Sequence, residues 1–458
     1  MDARPGNDSG ESMVVSSSRL SGLLKAGCLL AIAVAIHPKA MATGQEHIEI
    51  SLTRSACYGS CPAYQVTIHG DGLVHFTTGT SPVDAVDAVH RRFARARGVL
   101  LPGTHEDRIQ PEAVQALARQ FEAADFWQLK DEYRARVSDS PTKVVTLAVA
   151  DRKKTVIDYV GTEAGMPKAV KELEEAIDRL AGTDRWVDGT ADLIPWLEKT
   201  HFDFHSNQAA VLAVDAEATH ADEATVIALI ERGAPLDQTA LPSMPLPGNA
   251  EVAGISLIED SIRRGHAEVF KRMVKGGWLD RLGKAKAAAS FADLAAGCSP
   301  AMVDAAADAG VDIDFAVSHP SQDKDEPQER TALAMLEDWG CTQNEAAHLP
   351  TAERLLARGA NPNHRDSLGR TPLYGVHRLD VLNLLLAHGA DATAKSKDGN
   401  SMLFGSWDEA VILRLLQAGA SPRGRYGDDG RTLAQMAKAQ NMASVTKWLA
   451  AHPGAYRR

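Results

Sequence analysis

The chain has 458 residues and a net charge of −11, an acidic balance that excludes the broad basic footprint needed for general nucleic-acid binding. That length suits two or three domains. Aromatic residues make up only 5% of it, so a core of Ala, Leu and Val is expected, as in stacked short helices.

The first 42 residues read as a secretory signal peptide. Arg19 and Lys25 precede the apolar run 28–36 (CLLAIAVAI), Pro38 breaks it, and Ala40-Met41-Ala42 offers small residues for cleavage. The run is too short to span a bilayer, and the polar stretch before Met13 leaves Met13 as an alternative start. Cys28 stands ahead of the apolar run rather than after it, which argues against lipidation. The mature chain is expected to start near Thr43, exported across the inner membrane to the periplasm, with no stable membrane insertion after cleavage. A buried N-terminal helix is the plainer alternative.

Four cysteines then remain: Cys57, Cys61, Cys298 and Cys341. An even count in an exported chain suits disulfides. The stretch RSACYGSCPAYQV (54–66) spaces Cys57 and Cys61 as C-x-x-x-C, followed by Pro62 and a strand pattern. Thioredoxin-type chemistry wants C-x-x-C opening a helix, and zinc wants two further ligands. A Cys57–Cys61 disulfide is the leading reading, with redox thiols and a metal site as alternatives.

Residues 43–188 read as an α+β domain of hairpins with two helices. Residues 47–52 alternate with period two; 64–68 and 73–76 form a hairpin about Gly70-Asp71-Gly72. Pro111 opens a helix with Val114, Leu117, Phe121 and Phe126-Trp127 on its apolar side. A second hairpin pairs 143–149 with 155–159, and a helix runs from Pro167 to Gly182 carrying Val170, Leu173, Ile177 and Leu180. His105-Glu106-Asp107 and Asp139 are read as solvated loop positions. There is no G-x-S-x-G elbow, H-E-x-x-H pair or phosphate-cradling glycine loop. CYGSCPAYQVTIHGDG, with Gly103-Thr104-His105, SDSPT at 138–142 and GMP at 165–167, resembles an uncharacterised bacterial domain family that opens on this Cys-Gly, Cys-Pro pattern and ends near a tryptophan, here Trp186. That resemblance covers about 47–188 and implies no chemistry.

The linker 189–206 contains HFDFH. In an extended segment His201, Asp203 and His205 would share one face, a weak metal-ligand candidate beside the plainer reading of an amphipathic connector. No cofactor is expected.

From 207 to 458 the chain repeats. The segments 355–374, 384–404 and 415–435 are self-similar, with Gly359, Gly389 and Gly419 at equal spacing. Each reads as a helix ending in Gly, a long turn, then a Thr or Ser start. The pattern G-A-N…L-G-R-T-P-L around 359–373 resembles the ankyrin repeat, with Tyr374 where that family has histidine; SLIEDSIRRGHAEVFKRMVKGG (256–277) resembles its helix–turn–helix, and weaker units end near Gly233 and Gly310. The resemblance implies an all-α ankyrin-repeat solenoid of about six units that binds a protein through its turn tips and concave face. Cys298 and Cys341 then sit at equivalent places in successive units, as a second disulfide or as buried thiols. Arg365, Lys395 and Arg425 share one turn position, with Lys397, Arg423 and Tyr426 beside them. This basic ladder suits an acidic partner surface, against the simpler view that exposed turns carry charge for solvation. The whole reads as an exported, non-enzymatic protein-binding module of the bacterial cell envelope. The alternative is an envelope enzyme or metal-binding protein with its site in the N-terminal domain or at the junction.

Overall fold

A computed structural model describes residues 47–58, 61–78, 98–219, 221–239, 252–292, 298–319, 328–339, 341, 345–426 and 430–456. The proposed signal peptide, Met13 and Cys28 lie outside the described residues.

Seven strands form one sheet in the order β4-β3-β2-β1-β6-β7-β5. They are β1 (Ile48–Arg54), β2 (Tyr64–His69), β3 (Leu73–Thr77), β4 (Thr104–Arg108), β5 (Glu132–Arg134), β6 (Lys143–Val149) and β7 (Arg152–Tyr159). Neighbours run antiparallel except β5 and β7, which are parallel. The two expected hairpins form, the second with a tighter turn than expected, since Val149 pairs with Arg152. Gly72 is obligatory in the first: its φ is 86°, and a Cβ there would lie 2.1 Å from the Ile109 carbonyl oxygen.

Period-two patterning makes the sheet one-sided. Ile50, Leu52, Val66, Ile68, Val74, Phe76, Val145 and Leu147 are buried on one face. Helices α1 (Pro111–Ala123) and α2 (Lys168–Ala181) cover that face with Val114, Leu117, Phe121, Val170, Leu173 and Ile177. The other face alternates Ser51, Thr53, Gln65, Thr67 and His75, all half-buried, as an antiparallel sheet with one solvated side does.

Strands β4 and β5 are absent from the sequence-based reading. Their sequences, THEDR and EYR, carry no apolar alternation, and they form because neighbouring strands offer them a ladder.

Beyond the sheet the chain is helical: α3 (Asp184–Val187), α4 (Leu193–Lys199), α5 (Asn207–Ala218), α6 (Glu223–Glu231), α7 (Ala253–Arg264), α8 (Ala267–Lys275), α9 (Trp278–Leu282), α10 (Lys284–Ala292) and α11 (Pro300–Asp308). A short hairpin, β8 (Val317–His319) with β9 (Gln328–Arg330), precedes α12 (Ala332–Trp339), α13 (His348–Ala357), α14 (Leu379–Ala387), α15 (Glu409–Gln417), α16 (Leu433–Ala439), α17 (Ala443–Ala451) and α18 (Pro453–Tyr456). One row of helices packs in succession, α6 on α8, then α11, α13, α14, α15 and α17. Gly359, Gly389 and Gly419 follow α13, α14 and α15 with φ of 104°, 85° and 104°, the left-handed exits read from the sequence.

The helix expected to start at a Thr or Ser forms after Thr432, as α16 with a Thr432–Gln435 capping box, but does not form after Thr371 or Ser401. Pro372–Gly375 is a run of turns, and Met402–Gly405 is one 3-10 turn. Glycine is the cause: Gly375 has φ 91°, and Gly405 approaches so closely that a Cβ would lie 2.5 Å from the Gly375 nitrogen.

Both disulfides form. Cys57–Cys61 and Cys298–Cys341 have Cα separations of 5.5 and 5.6 Å, inside the reach of a bridge. The second ties the residue two before α11 to the chain just past α12. Two disulfides suit an oxidising compartment. Among the described residues no helix is long and apolar enough to cross a membrane.

Candidate functional site

Among the described residues, three places gather the side chains of most chemical interest. The first lies under α2. Register aligns Tyr64 with Arg54, Arg54 with Lys143, and Lys143 with Asp158, one row across β2, β1, β6 and β7. The helix sets Glu174 and Asp178, four residues apart and so on one face, against that row. Asp178 accepts from Arg54 Nε at 3.1 Å, from the Tyr64 hydroxyl at 2.8 Å and from the Thr183 hydroxyl at 3.0 Å. Lys143 Nζ donates to Glu174 at 2.8 Å and to Asp158 at 3.3 Å. Asp158 also caps the backbone N–H of Gly161 at 2.6 Å.

Two cations thus face three carboxylates. Glu174 is 1% exposed, and its Oε1 is buried with no hydrogen-bond partner among the described residues. Burial pushes its carboxyl up to about 7 against the pull of Lys143, with Asp158 adding to the rise. Burial and then the Asp178 charge push the Tyr64 phenol far above its usual value. A proton on Glu174 near neutrality balances the row.

The Cys57–Cys61 loop leaves β1 directly beyond this row. Ser55 N donates to the Thr142 carbonyl at 2.9 Å, and Thr142 N donates to the Ser55 hydroxyl at 2.8 Å, which pins the loop to the start of β6. Tyr58, inside the disulfide loop, is 88% exposed. The sequence reading missed the row. One signal was legible: Glu174 stands four residues after Val170, where the apolar stripe of α2 would run on.

The second place is the set of turns after α13, α14 and α15. Arg365, Lys395, Lys397, Arg423 and Arg425 are exposed there. Arg365 Nη1 donates to the Gly369 carbonyl at 2.9 Å and to the Lys395 carbonyl, in the next turn, at 2.8 Å. Arg425 Nη1 donates to the Gly430 carbonyl at 2.7 Å, and Arg423 Nε to the Ala455 carbonyl at 3.0 Å. These guanidiniums spend part of their donor capacity clipping backbone. Tyr426 is corrected outright as a surface contact: it is 2% exposed, its ring lies 4.3 Å from that of Phe404, and its hydroxyl donates to the Leu403 carbonyl at 3.1 Å.

The third place is where β4 meets α3 and α4. His105 and Asp107 are strand residues on the inward side of β4, not solvated loop positions. Asp107 accepts from Arg185 at 2.7 Å and from Lys199; despite burial, those cations hold its carboxyl below the usual range. Trp196 Nε1 donates to the Glu106 carbonyl at 3.1 Å. The His105 ring lies 5.8, 5.7 and 5.1 Å from those of Phe76, Trp186 and Trp196, and its Nε2 is 2.8 Å from the Leu101 carbonyl oxygen. Burial lowers its pKa. Asp139 is exposed, in a turn with φ 64°.

His201, Asp203 and His205 do not lie on an extended segment. They form the turn between α4 and α5, His201 has φ 57°, and the Asp203 carboxylate accepts from the His205 backbone N–H at 2.9 Å. The Phe202 and Phe204 rings pack edge to face at 5.3 Å. Among the described residues no group of three or more His, Cys, Asp or Glu side chains could hold a metal ion.

Comparison with known families finds one match, a domain of unknown function, DUF6438, over residues 48–181. No ankyrin-repeat family is detected. No curated protein matches the chain. The match opens on the first residue of β1 and closes on the last of α2, so it takes in the whole sheet, the stapled loop and the charged row while leaving out the buried Trp186. Residues 48–181 are a DUF6438 domain, followed by a helical C-terminal region.

Proposed function

We propose that the protein is an exported, non-enzymatic binding protein of the bacterial cell envelope that captures a protein with an acidic surface on the turns of an ankyrin-like C-terminal array. The observation that carries this reading is the way successive turns are joined. Arg365 reaches the Lys395 carbonyl, Lys397 N donates to the Leu368 carbonyl at 2.8 Å, and the Asn363 side chain donates to the Gly389 carbonyl at 2.9 Å while accepting from Asp391 N at 2.7 Å. The exposed cations at 365, 395, 397, 423 and 425 therefore stand on a pre-organised shelf, which lowers the ordering cost of binding. Left-handed glycines at equal spacing and the successive packing of α11, α13, α14, α15 and α17 support the repeat reading. The two disulfides support export.

The test is co-purification from the envelope fraction with the wild-type chain and with Lys395→Glu/Lys397→Glu, whose side chains are exposed. A partner retained by the wild type, released near ~0.5 M salt and absent from the variant supports the shelf. An identical retained set with both proteins rejects it.

A further inference from the structure

The junction of sheet and helices encloses a cleft of about 490 Å³, lined by described residues and distinct from the turn shelf. Its walls come from three elements. The chain before β4 supplies Leu100, α4 and the turn after it supply Trp196 and Phe202, and α5 supplies Val211. Thr200, Asn207, Gln208 and Asp215 add polar groups among the apolar ones. That volume and mix are those of small-molecule sites, and wetting so much apolar surface is unfavourable.

His105 also lines the cleft, and its chemistry narrows the occupant. Its Nε2 faces the Leu101 carbonyl oxygen, which only accepts, so Nε2 carries the hydrogen of a neutral ring. Nδ1 is then an acceptor, and no described residue donates to it. The ring is held in place by Phe76, Trp186 and Trp196, so it cannot turn without disturbing the core. An anionic ligand would meet the Asp215 carboxylate and would lose its hydration against apolar walls. We infer that this cleft binds an organic molecule that carries no negative charge, with an apolar ring body and one hydroxyl or N–H donor, the donor bonding His105 Nδ1.

Two probes of equal body test this: 2-naphthol, which has the donor, and 2-methoxynaphthalene, which does not. Each is titrated into the full chain with tryptophan fluorescence and calorimetry as readouts. The expected result is saturable one-to-one binding, with 2-naphthol about fivefold or more tighter, the usual worth of one hydrogen bond. Val211→Trp should abolish binding of both probes by filling the cleft. His105→Phe keeps the stacked ring and should bring 2-naphthol down to the affinity of its ether, with far-UV circular dichroism verifying that each variant is folded. Absence of saturation with the wild type, or binding unchanged in Val211→Trp, overturns the cleft as a ligand site. Equal affinity of the two probes for the wild type, or a preference that survives His105→Phe, overturns the recognition by Nδ1.

Discussion

Replacing Glu174 by Gln should remove a pH dependence from the DUF6438 domain. In the fold the Glu174 carboxyl is raised from the usual 4.5 to about 7, chiefly by burial. A raised acid keeps its proton in the folded state after the unfolded chain has lost it. Its contribution is therefore complete below pH 4.5 and is lost progressively as pH rises to about 7. At 1.36 kcal/mol per unit, the rise corresponds to a loss of at most about 3 kcal/mol across that window. Gln mimics the protonated carboxyl and still offers Lys143 an acceptor. Glu174→Gln should lie within about 1 kcal/mol of the wild type at pH 5 and exceed it by up to about 3 kcal/mol at pH 8. Native-state hydrogen exchange of the β1, β6 and α2 amides at pH 5, 6, 7 and 8 reads this locally. Local readout matters because the His266–Glu217 pair, 2.9 Å apart, is a second buried titratable site, with both groups raised. A variant whose β1 and α2 protection falls with pH in parallel with the wild type would place the proton elsewhere and refute the charge count of the row.

Three other perturbations bear on the scaffold. Removing the Cys298–Cys341 bridge, which closes a separation of 43 residues, should cost about 4 kcal/mol, and removing Cys57–Cys61, separated by 4, about 2 kcal/mol, as read by urea denaturation; the reverse order would discount chain entropy as the origin. Gly72→Ala must adopt φ 86° and push a methyl onto the Ile109 carbonyl, so a loss of about 2 kcal/mol or more in thermal unfolding is expected. Asp107→Ala strips the partly buried Arg185 of its carboxylate and should cost about 3 kcal/mol, with faster exchange in α4; unchanged α4 protection would mean that Trp196 alone holds the junction.

The candidate sites were legible to different depths. Cys57 and Cys61 declare themselves because spacing, Pro62 and the following strand are local. The turn cations at 365, 395 and 425 were visible through the repeat, but their donors' use on neighbouring carbonyls was not. Tyr426 looked like a surface residue because polar turn residues flank it, whereas its ring fills space against Phe404 from the preceding unit. HFDFH suggested an extended linker segment by alternation, and a helix start at Ser206 turned it into a bend. The row under α2 draws on residues as far apart as 54 and 178, so no local pattern could assemble it.

By itself the sequence determined the two hairpins, helices α1 and α2, the one-sided core and the glycine exits of the late helices. Each of these follows from side-chain period, proline and glycine, which act within a few residues. Tertiary structure alone decided that THEDR and EYR become strands, that Asp107 and Trp196 join the helices to the sheet, and that Glu174 carries a raised pKa. The physical reason is common to all three. A ladder partner, a buried countercharge and the removal of water are properties of neighbours in space, and those neighbours are distant in the chain.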